Sequence, residues 1–174
     1  MPRAPFDDFS DVVPRAVATA GIAERRERTP RADRPLGRRD DDMLMRVPLF
    51  AGLSRRDLRR LAEHADVVSF RPGETIVQAG CPGGTFYVVL GGEAKVLRND
   101  RTVGSLLPAD FFGEISLLDG GARTATVVAD TPVTAIRIFK RSFDRVISEE
   151  PTVAAKILAV VAKRLREAER SITG

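Results

Sequence analysis

The chain has 174 residues with 28 Lys or Arg and 24 Asp or Glu, which gives a formal net charge of +4. This length is enough for one domain with its own core plus a tail, and so small a charge does not by itself indicate a nucleic-acid binder. Because Cys81 is the only cysteine and His64 the only histidine, the sequence offers no internal disulfide, His/Cys metal site or histidine-based catalytic triad. No segment approaches the roughly 18 apolar residues of a membrane span, and no signal-peptide pattern is present, so we expect a cytoplasmic protein.

Residues 1–40 form a stretch rich in Pro and Arg that lacks a sustained apolar period. Such a composition cannot bury enough apolar surface to order itself, so we expect a disordered tail over 1–40 and a single domain over 41–174. The excess of Arg between residues 15 and 39 also permits contact with an acidic partner, a membrane surface or nucleic acid. A solvated linker is the preferred interpretation.

A pair of helices is predicted before the first strand. Ser54 is followed three residues later by Asp57, which is the spacing of a capping box, and Leu58 and Leu61 then lie on one helical face. The apolar run 47–53 precedes this helix and is expected to form a turn that packs with it.

Short segments rich in β-branched and aromatic residues then recur between turns that contain Gly or Pro. This spacing predicts an antiparallel β-roll or jelly roll of about eight strands, so the expected fold class is mainly β with flanking helices. Residues 71–74 place Pro and Gly where a type II turn needs them, and Asn99-Asp100 is expected to close a hairpin. Cupins share this outline, but they need clustered His and Glu ligands, which a single histidine cannot supply. The predicted strands are 67–70, 75–78, 85–90, 94–98, 102–107, 124–129 and 134–139.

Residues 111–128 interrupt the strand pattern with a helical turn that begins at a glycine. Gly113 lets the backbone approach a ligand closely, and the N–H groups from Gly113 to Ser116 can point at an anion that the guanidinium of Arg123 also favours. Glu114 would repel a phosphate unless it bound a different group, and a ribose hydroxyl is suited to that role. The stretch therefore indicates a compact nucleotide. Its apolar side is expected to comprise Ile115, Leu117 and Leu118, and a strand carrying Arg123 is expected to follow Gly120-Gly121.

Two helices are predicted at the end of the sequence. The first covers 142–148, and the second begins at Pro151, a favourable first-turn position. The second helix carries an apolar seam of fewer than three heptads, which permits either dimerisation or packing on the roll. The seam consists of Ala154, Leu158, Val161, Leu165, Ala168 and Ile172.

The stretch Phe-Gly-Glu followed by Arg-Thr-Ala resembles the phosphate-binding cassette of cyclic nucleotide-binding domains. These domains occur in catabolite activator proteins, regulatory subunits of cAMP-dependent kinase and cyclic nucleotide-gated channels. The resemblance covers about 130 residues and includes the segment 48–54, which is similar to a recurring phrase of the family's N-terminal helical bundle. It implies that the arginines of the following helix, Arg55, Arg56, Arg59 and Arg60, form a solvated face. It also implies a ligand site made of Phe112, Gly113, Glu114, Ile115, Ser116, Arg123, Thr124 and Ala125.

Two positions depart from the family's pattern. Gly84 stands where the family usually has an Asp that orients the phosphate-binding arginine, so Arg123 is expected to be held less firmly. Ala109 replaces a Gly in the loop that enters the cassette, so the turn there is expected to be adjusted.

The resemblance further implies that the final helix covers the base. No aromatic residue is available in that helix, so the expected cap is a guanidinium plane or an aliphatic stem among Arg164, Leu165 and Arg166, with Arg164 preferred. The hydroxyl of Thr124 is expected to reach a guanine amino group, so that cGMP is tolerated beside the preferred cAMP.

The leading hypothesis is a cyclic nucleotide sensor that is not an enzyme and needs no metal or other cofactor. One alternative is a transcription regulator of the catabolite-activator type without its DNA-binding domain, and a second is a scaffold of the same fold that has lost its ligand. A phosphodiesterase is disfavoured because no metal ligands or positioned base are evident. The expected partners are a cyclic nucleotide, an unidentified downstream protein and, through the C-terminal helix, a second copy of the chain. Nucleic acid is not expected.

Overall fold

The structure is a computed structural model and describes residues 33–47, 50, 53–63 and 65–173. Within these residues the chain forms five helices: α1 Arg38–Arg46, α2 Arg55–Ala62, α3 Glu114–Asp119, α4 Lys140–Glu149 and α5 Pro151–Thr173. The same residues form nine strands: β1 Arg34–Pro35, β2 Asp66–Phe70, β3 Thr75–Val77, β4 Thr85–Gly91, β5 Ala94–Arg98, β6 Arg101–Leu106, β7 Phe111–Phe112, β8 Thr126–Ala129 and β9 Val133–Phe139.

The strands form two antiparallel sheets, which confirms the predicted β-roll with flanking helices. One sheet has the order β1-β2-β9-β4-β7 and the other the order β3-β8-β5-β6. Because successive side chains of a strand point to opposite faces, the first sheet takes part in two cores. Tyr87 and Ala135 point between the sheets, whereas Phe86 and Ile136 point outward against the helices. The molecule therefore has three layers: the two sheets of the roll and a helical layer formed by α1, α2, α4 and α5. The five-stranded sheet lies in the middle and contacts both other layers.

The local signals in the sequence produce the expected turns and caps. Gly73 has φ +83°, and the N–H of Glu74 donates to the carbonyl of Arg71 at 3.0 Å, as a type II turn requires. Asn99 and Asp100 both have positive φ, 49° and 59°, which suits a two-residue hairpin between β5 and β6. The capping box of α2 is also confirmed by the bonds that Ser54 and Asp57 exchange.

The folded region begins before the predicted boundary at residue 41. Strand β1 pairs with β2, and α1 begins at Arg38, so residues 34–40 belong to the domain. The contact that fixes this segment is an ion pair in which Arg34 Nη2 lies 2.9 Å from Asp40 Oδ1, while the N–H of Gly37 donates to Asp40 Oδ2 at 2.7 Å. The hydrogen bond from Arg34 lowers the pKa of the Asp40 carboxyl from its ordinary value. Residues 1–32, and with them most of the predicted tail, lie outside the described residues.

Three local expectations differ from the structure. Phe111–Phe112 is a short strand that the pattern did not reveal, and β8 begins only at Thr126, so Arg123 precedes the strand instead of lying in it. Leu118, expected on the apolar side of its helical turn, is 40% exposed. Ala109 has φ +75°, a left-handed conformation that favours glycine. The turn before β7 therefore adopts this conformation although residue 109 carries a side chain.

The two C-terminal helices occupy the predicted positions, and α5 begins at Pro151. Only part of the predicted seam contacts the helical-layer core. Val153, one residue before the seam, is 1% exposed, and Val161 packs against the same core, but Leu158 and Leu165 are 64% and 60% exposed. The side chains of Ala168 and Ile172 lie outside the described residues. No helix in the described part of the chain has the length and apolar character needed to cross a bilayer.

Candidate functional site

The backbone of the cassette is fixed by glycines at both ends of α3. Gly113 precedes the helix with φ +90° and ψ 3°, and a Cβ at this position would lie 2.7 Å from both the Thr85 carbonyl oxygen and Arg123 Nη1. Gly120 ends the helix with φ +70°, where its N–H donates to the Ser116 carbonyl at 3.1 Å. Only glycine combines the left-handed conformation with so close an approach at position 113.

Arg123 is buried beside this turn, with 4% of its surface exposed. Its Nη1 donates to the Thr85 carbonyl at 2.9 Å and more weakly to the Gly113 carbonyl at 3.4 Å. Its Nη2 donates to Thr85 Oγ1 at 2.8 Å. The guanidinium is therefore held against β4 at the point where that strand begins.

The loop between β3 and β4 encloses the other side of Arg123. The N–H of Arg123 donates to the Cys81 carbonyl at 2.9 Å, and the N–H of Gly80 donates to the Arg123 carbonyl at 2.8 Å. A Cβ at Gly83 would overlap Ser116 Cβ and would lie 3.2 Å from Arg123 Cζ. The loop and α3 thus close on the arginine from two sides.

The structure shows how Arg123 is held although residue 84 is a glycine. A Cβ at position 84 would meet nothing within 4 Å, so this position is open to solvent. The next residue, Thr85, contacts Arg123. Thr85 supplies two acceptors to the guanidinium, its carbonyl oxygen and Oγ1. The expectation that Arg123 is held loosely therefore does not match its burial and its bonds to Thr85.

Two further polar side chains of the predicted site are buried with Arg123. Glu114 and Ser116, both in α3, are each 2% exposed. Phe112 is 6% exposed and stacks on Tyr87 with ring centroids 5.1 Å apart, which fixes the entry to Gly113 against β4. Ile115 and Ala125 are half-buried at the edge of this cluster and Thr124 is exposed.

Two of the three residues predicted to cover the base can be placed in this structure. Leu165 and Arg166 are exposed on α5, and the side chain of Arg164 lies outside the described residues. The cassette is thus assembled on the roll, whereas the described side chains of the predicted cap are exposed.

Thr85 and Lys140 are two residues at the site that sequence reasoning missed. Lys140 Nζ donates to the Leu117 carbonyl at 3.1 Å and to Asp144 Oδ1 at 3.0 Å, and the Lys140 N–H donates to the Gly84 carbonyl at 3.0 Å. Lys140 therefore ties the end of α3 to the start of α4. Neither contact with the cassette leaves a signal in the sequence, because Arg123 lies 38 residues from Thr85 and Leu117 lies 23 residues from Lys140.

The chemistry of the cluster is that of an anion site. It combines a buried guanidinium, a helix start with a left-handed glycine and a buried carboxyl group, which suit a phosphate and a neighbouring hydroxyl. Among the described residues, no group of three or more His, Cys, Asp or Glu is arranged to hold a metal ion.

Known proteins share this architecture. The family model described as "Cyclic nucleotide-binding domain" matches residues 67–150. A CRP-like cAMP-activated global transcriptional regulator of Mycobacterium tuberculosis is 28% identical over 76% of this chain and 61% of its own length. A cAMP-dependent protein kinase regulatory subunit of Aspergillus fumigatus is 37% identical over 60% of this chain and 26% of its own length. The chain thus spans less than two thirds of either curated relative.

A solved structure extends the similarity to most of the chain. The N-terminal domain of a transcriptional regulator from Streptomyces coelicolor is 33% identical, with a TM-score of 0.61. The match covers 75% of this chain and 95% of that domain. The similarity therefore includes both sequence and fold.

Proposed function

This chain belongs to the cyclic nucleotide-binding domain family, related to CRP-like regulators and kinase regulatory subunits, and from that premise we propose that it is a sensor of cAMP. The two curated relatives described above are regulatory proteins, and the sensor role agrees with them. The proposal places the ligand at the cassette, with cGMP as a weaker ligand and the cytoplasm as the compartment.

The observation that carries the proposal is the burial of Arg123 beside Gly113 and α3. In the proposed complex the guanidinium binds the cyclic phosphate, and the backbone N–H groups that begin α3 supplement it. Glu114 accepts a hydrogen bond from the ribose 2′-hydroxyl. A long polyphosphate is disfavoured because the cassette offers a single buried arginine among its predicted contacts.

The proposed output is closure of α5 over the base. Leu165 and Arg166 are exposed, so their contact with a ligand held at the cassette would bury surface that is now open to solvent. Closure follows if cAMP binds the closed arrangement more tightly than the open one. Amide exchange across 151–173, with and without cAMP, tests this step, and added protection in the second half of α5 is expected. Unchanged exchange there would show that α5 is not the lid.

Calorimetric titration tests binding itself. We expect cAMP to bind the parent chain and Arg123→Ala to weaken binding by roughly 2–5 kcal/mol, because a charge-assisted contact with a desolvated phosphate is lost. Arg98→Ala removes an exposed arginine of β5 and is the matched control, with an affinity close to that of the parent. If Arg123→Ala bound cAMP like the parent, the cassette would not be the site.

The ribose and the base are tested by two further comparisons. Glu114→Gln is expected to weaken cAMP more than 2′-deoxy-cAMP, because only cAMP offers the hydroxyl that Glu114 accepts from. Thr124→Ala is expected to lower the affinity for cGMP relative to cAMP without affecting the contact with the phosphate. An unchanged ratio of cGMP to cAMP affinity would remove Thr124 from base recognition.

A regulator that acts on DNA is the second candidate, because two of the relatives are transcription regulators. The exposed Leu158 and Leu165 lie seven residues apart on one face of α5 and offer a surface for a second copy of the chain. Gel-shift titration with and without cAMP tests DNA binding, and sedimentation at several concentrations tests dimerisation. Ligand-dependent, sequence-specific binding of DNA would favour this candidate over a sensor that acts on a protein.

A further inference from the structure

We infer that Thr85 is the positioning residue that sets the orientation of the Arg123 guanidinium for phosphate recognition. The inference rests on the proposed function, since it concerns the same site, but it assigns a role to a residue outside the cassette. Thr85 is the first residue of β4 and lies 38 positions before Arg123 in the sequence.

The first argument is the geometry of the contact. Two acceptors of one residue, the carbonyl oxygen and Oγ1, receive hydrogen bonds of 2.9 and 2.8 Å from the two different Nη atoms of Arg123. Because a guanidinium is planar, two bonds to separate nitrogens fix both the position of Cζ and the rotation of the plane.

The second argument is the rigidity of the anchor. Strand β4 lies between β9 and β7 in the five-stranded sheet, and Thr85 itself pairs with Phe139 of β9. The side chain is β-branched, so few χ1 rotamers are open to it. Oγ1 is therefore held by a strand that pairs with β9 at Thr85 itself and with β7 from Tyr87 onward.

The third argument is the lack of space for another arginine orientation. Arg123 is 4% exposed, and its Cζ and Nη1 lie close to the backbone of Gly83 and Gly113. Rotation of the guanidinium away from Thr85 would break two charge-assisted hydrogen bonds inside this enclosure.

The test compares three chains by calorimetry: the parent, Thr85→Val and Thr85→Ser. Valine keeps the β-branched shape but removes Oγ1, so we expect Thr85→Val to weaken cAMP binding about ten-fold, and serine to restore it to within about two-fold of the parent. Because the effect acts at the phosphate, the ratio of cAMP to 2′-deoxy-cAMP affinity is expected to stay unchanged in Thr85→Val. Melting temperatures establish that each variant is folded.

The outcomes separate the inference from the proposed function. If the parent bound cAMP and Thr85→Val bound it equally well, or Thr85→Ser failed to restore binding, the positioning role would be wrong and the sensor function would stand. If the parent bound no cyclic nucleotide, the sensor function would fail. In that case, nitrogen NMR of the Arg123 side chain in the ligand-free protein would test whether Thr85 positions the guanidinium. Restricted Nη rotation in the parent and Thr85→Ser, released in Thr85→Val, supports the anchor, and equal rotation in all three chains overturns it.

Discussion

The cassette and the helical layer hold their polar groups in opposite ways. In the cassette, Arg123 and Glu114 are almost completely buried, and Arg123 donates to backbone and side-chain oxygens of a distant strand. In the helical layer, the ion pair between Arg60 and Glu149 has side chains that are 43% and 45% exposed, and the pair between Arg145 and Glu63 is longer, at 3.9 Å. Exposed pairs contribute about 0–1 kcal/mol each, whereas a buried charge that loses its partner costs several times more. The polar groups of the cassette are therefore fixed by buried contacts, whereas these ion pairs of the helical layer contribute little to stability.

The largest expected effect is at the glycine that begins α3. Gly113→Ala places a Cβ at a left-handed φ and 2.7 Å from the Thr85 carbonyl and Arg123 Nη1, so we expect a loss of about 2–4 kcal/mol in the free energy of unfolding, measured with urea. Gly84→Ala is the matched control, because its Cβ would meet nothing within 4 Å, and we expect a change within about 0.5 kcal/mol. Equal losses in the two variants would mean that the cassette is not the rigid region.

Asp40 is an exception within the helical layer, because its carboxylate is buried and paired. Asp40→Asn is expected to lower the free energy of unfolding by about 1–2 kcal/mol at pH 7, since it weakens the bonds from Arg34 and from the Gly37 N–H. Asp42→Asn, which alters an exposed pair with Arg55 at 3.9 Å, is the control with little effect.

The loss in the free energy of unfolding of Asp40→Asn is expected to depend on pH. The hydrogen bond from Arg34 holds the pKa of folded Asp40 below its ordinary value of 3.8, so the carboxylate stabilises the fold above that pH. Its contribution disappears as the pH falls through the folded pKa, and the parent and Asp40→Asn should converge below about pH 4. A gap between the two chains that persists at acid pH would show that the loss comes from packing and not from the charge.

Lys140 joins the two regions and should show an intermediate effect. Lys140→Met removes the hydrogen bond to the Leu117 carbonyl while keeping most of the aliphatic stem, so we expect a loss of about 1 kcal/mol in the free energy of unfolding. The control is Asp144→Asn, which weakens only the exposed ion pair and should cost less than about 0.5 kcal/mol. If both variants lost the same amount, the contact with α3 would contribute nothing.

The smallest effect is expected on the exposed face of α5. Leu158→Gln should change the free energy of unfolding by less than about 0.5 kcal/mol, because the side chain is 64% exposed. The buried neighbour Val153 provides the contrast, and Val153→Ala should cost about 2 kcal/mol. A loss in Leu158→Gln that exceeds about 1 kcal/mol and grows with protein concentration would show that a second copy of the chain covers this face.

The sequence by itself determined seven of the nine strands in the described residues, the turns between them and the order of residues in the cassette. Gly73 and the pair Asn99-Asp100 specify their turns through residues that are adjacent in the chain, and the capping box of α2 spans four residues. The same holds for Gly113, whose conformation is a property of its own backbone. Local rules predict these features because each depends on neighbours that the sequence already places together.

Only the tertiary structure decided which distant groups meet. Phe111–Phe112 is too short to show a strand period and becomes a strand because β4 pairs with it. Thr85 becomes the anchor of Arg123 because the roll brings the start of β4 against the cassette. Likewise, an apolar seam in the sequence shows which residues are apolar but not which other residues cover them. In the structure, α5 buries Val153 and leaves Leu158 exposed. The physical reason is common to all three cases: hydrogen bonds and burial depend on spatial neighbours, and the folded chain selects these from residues that are far apart in sequence.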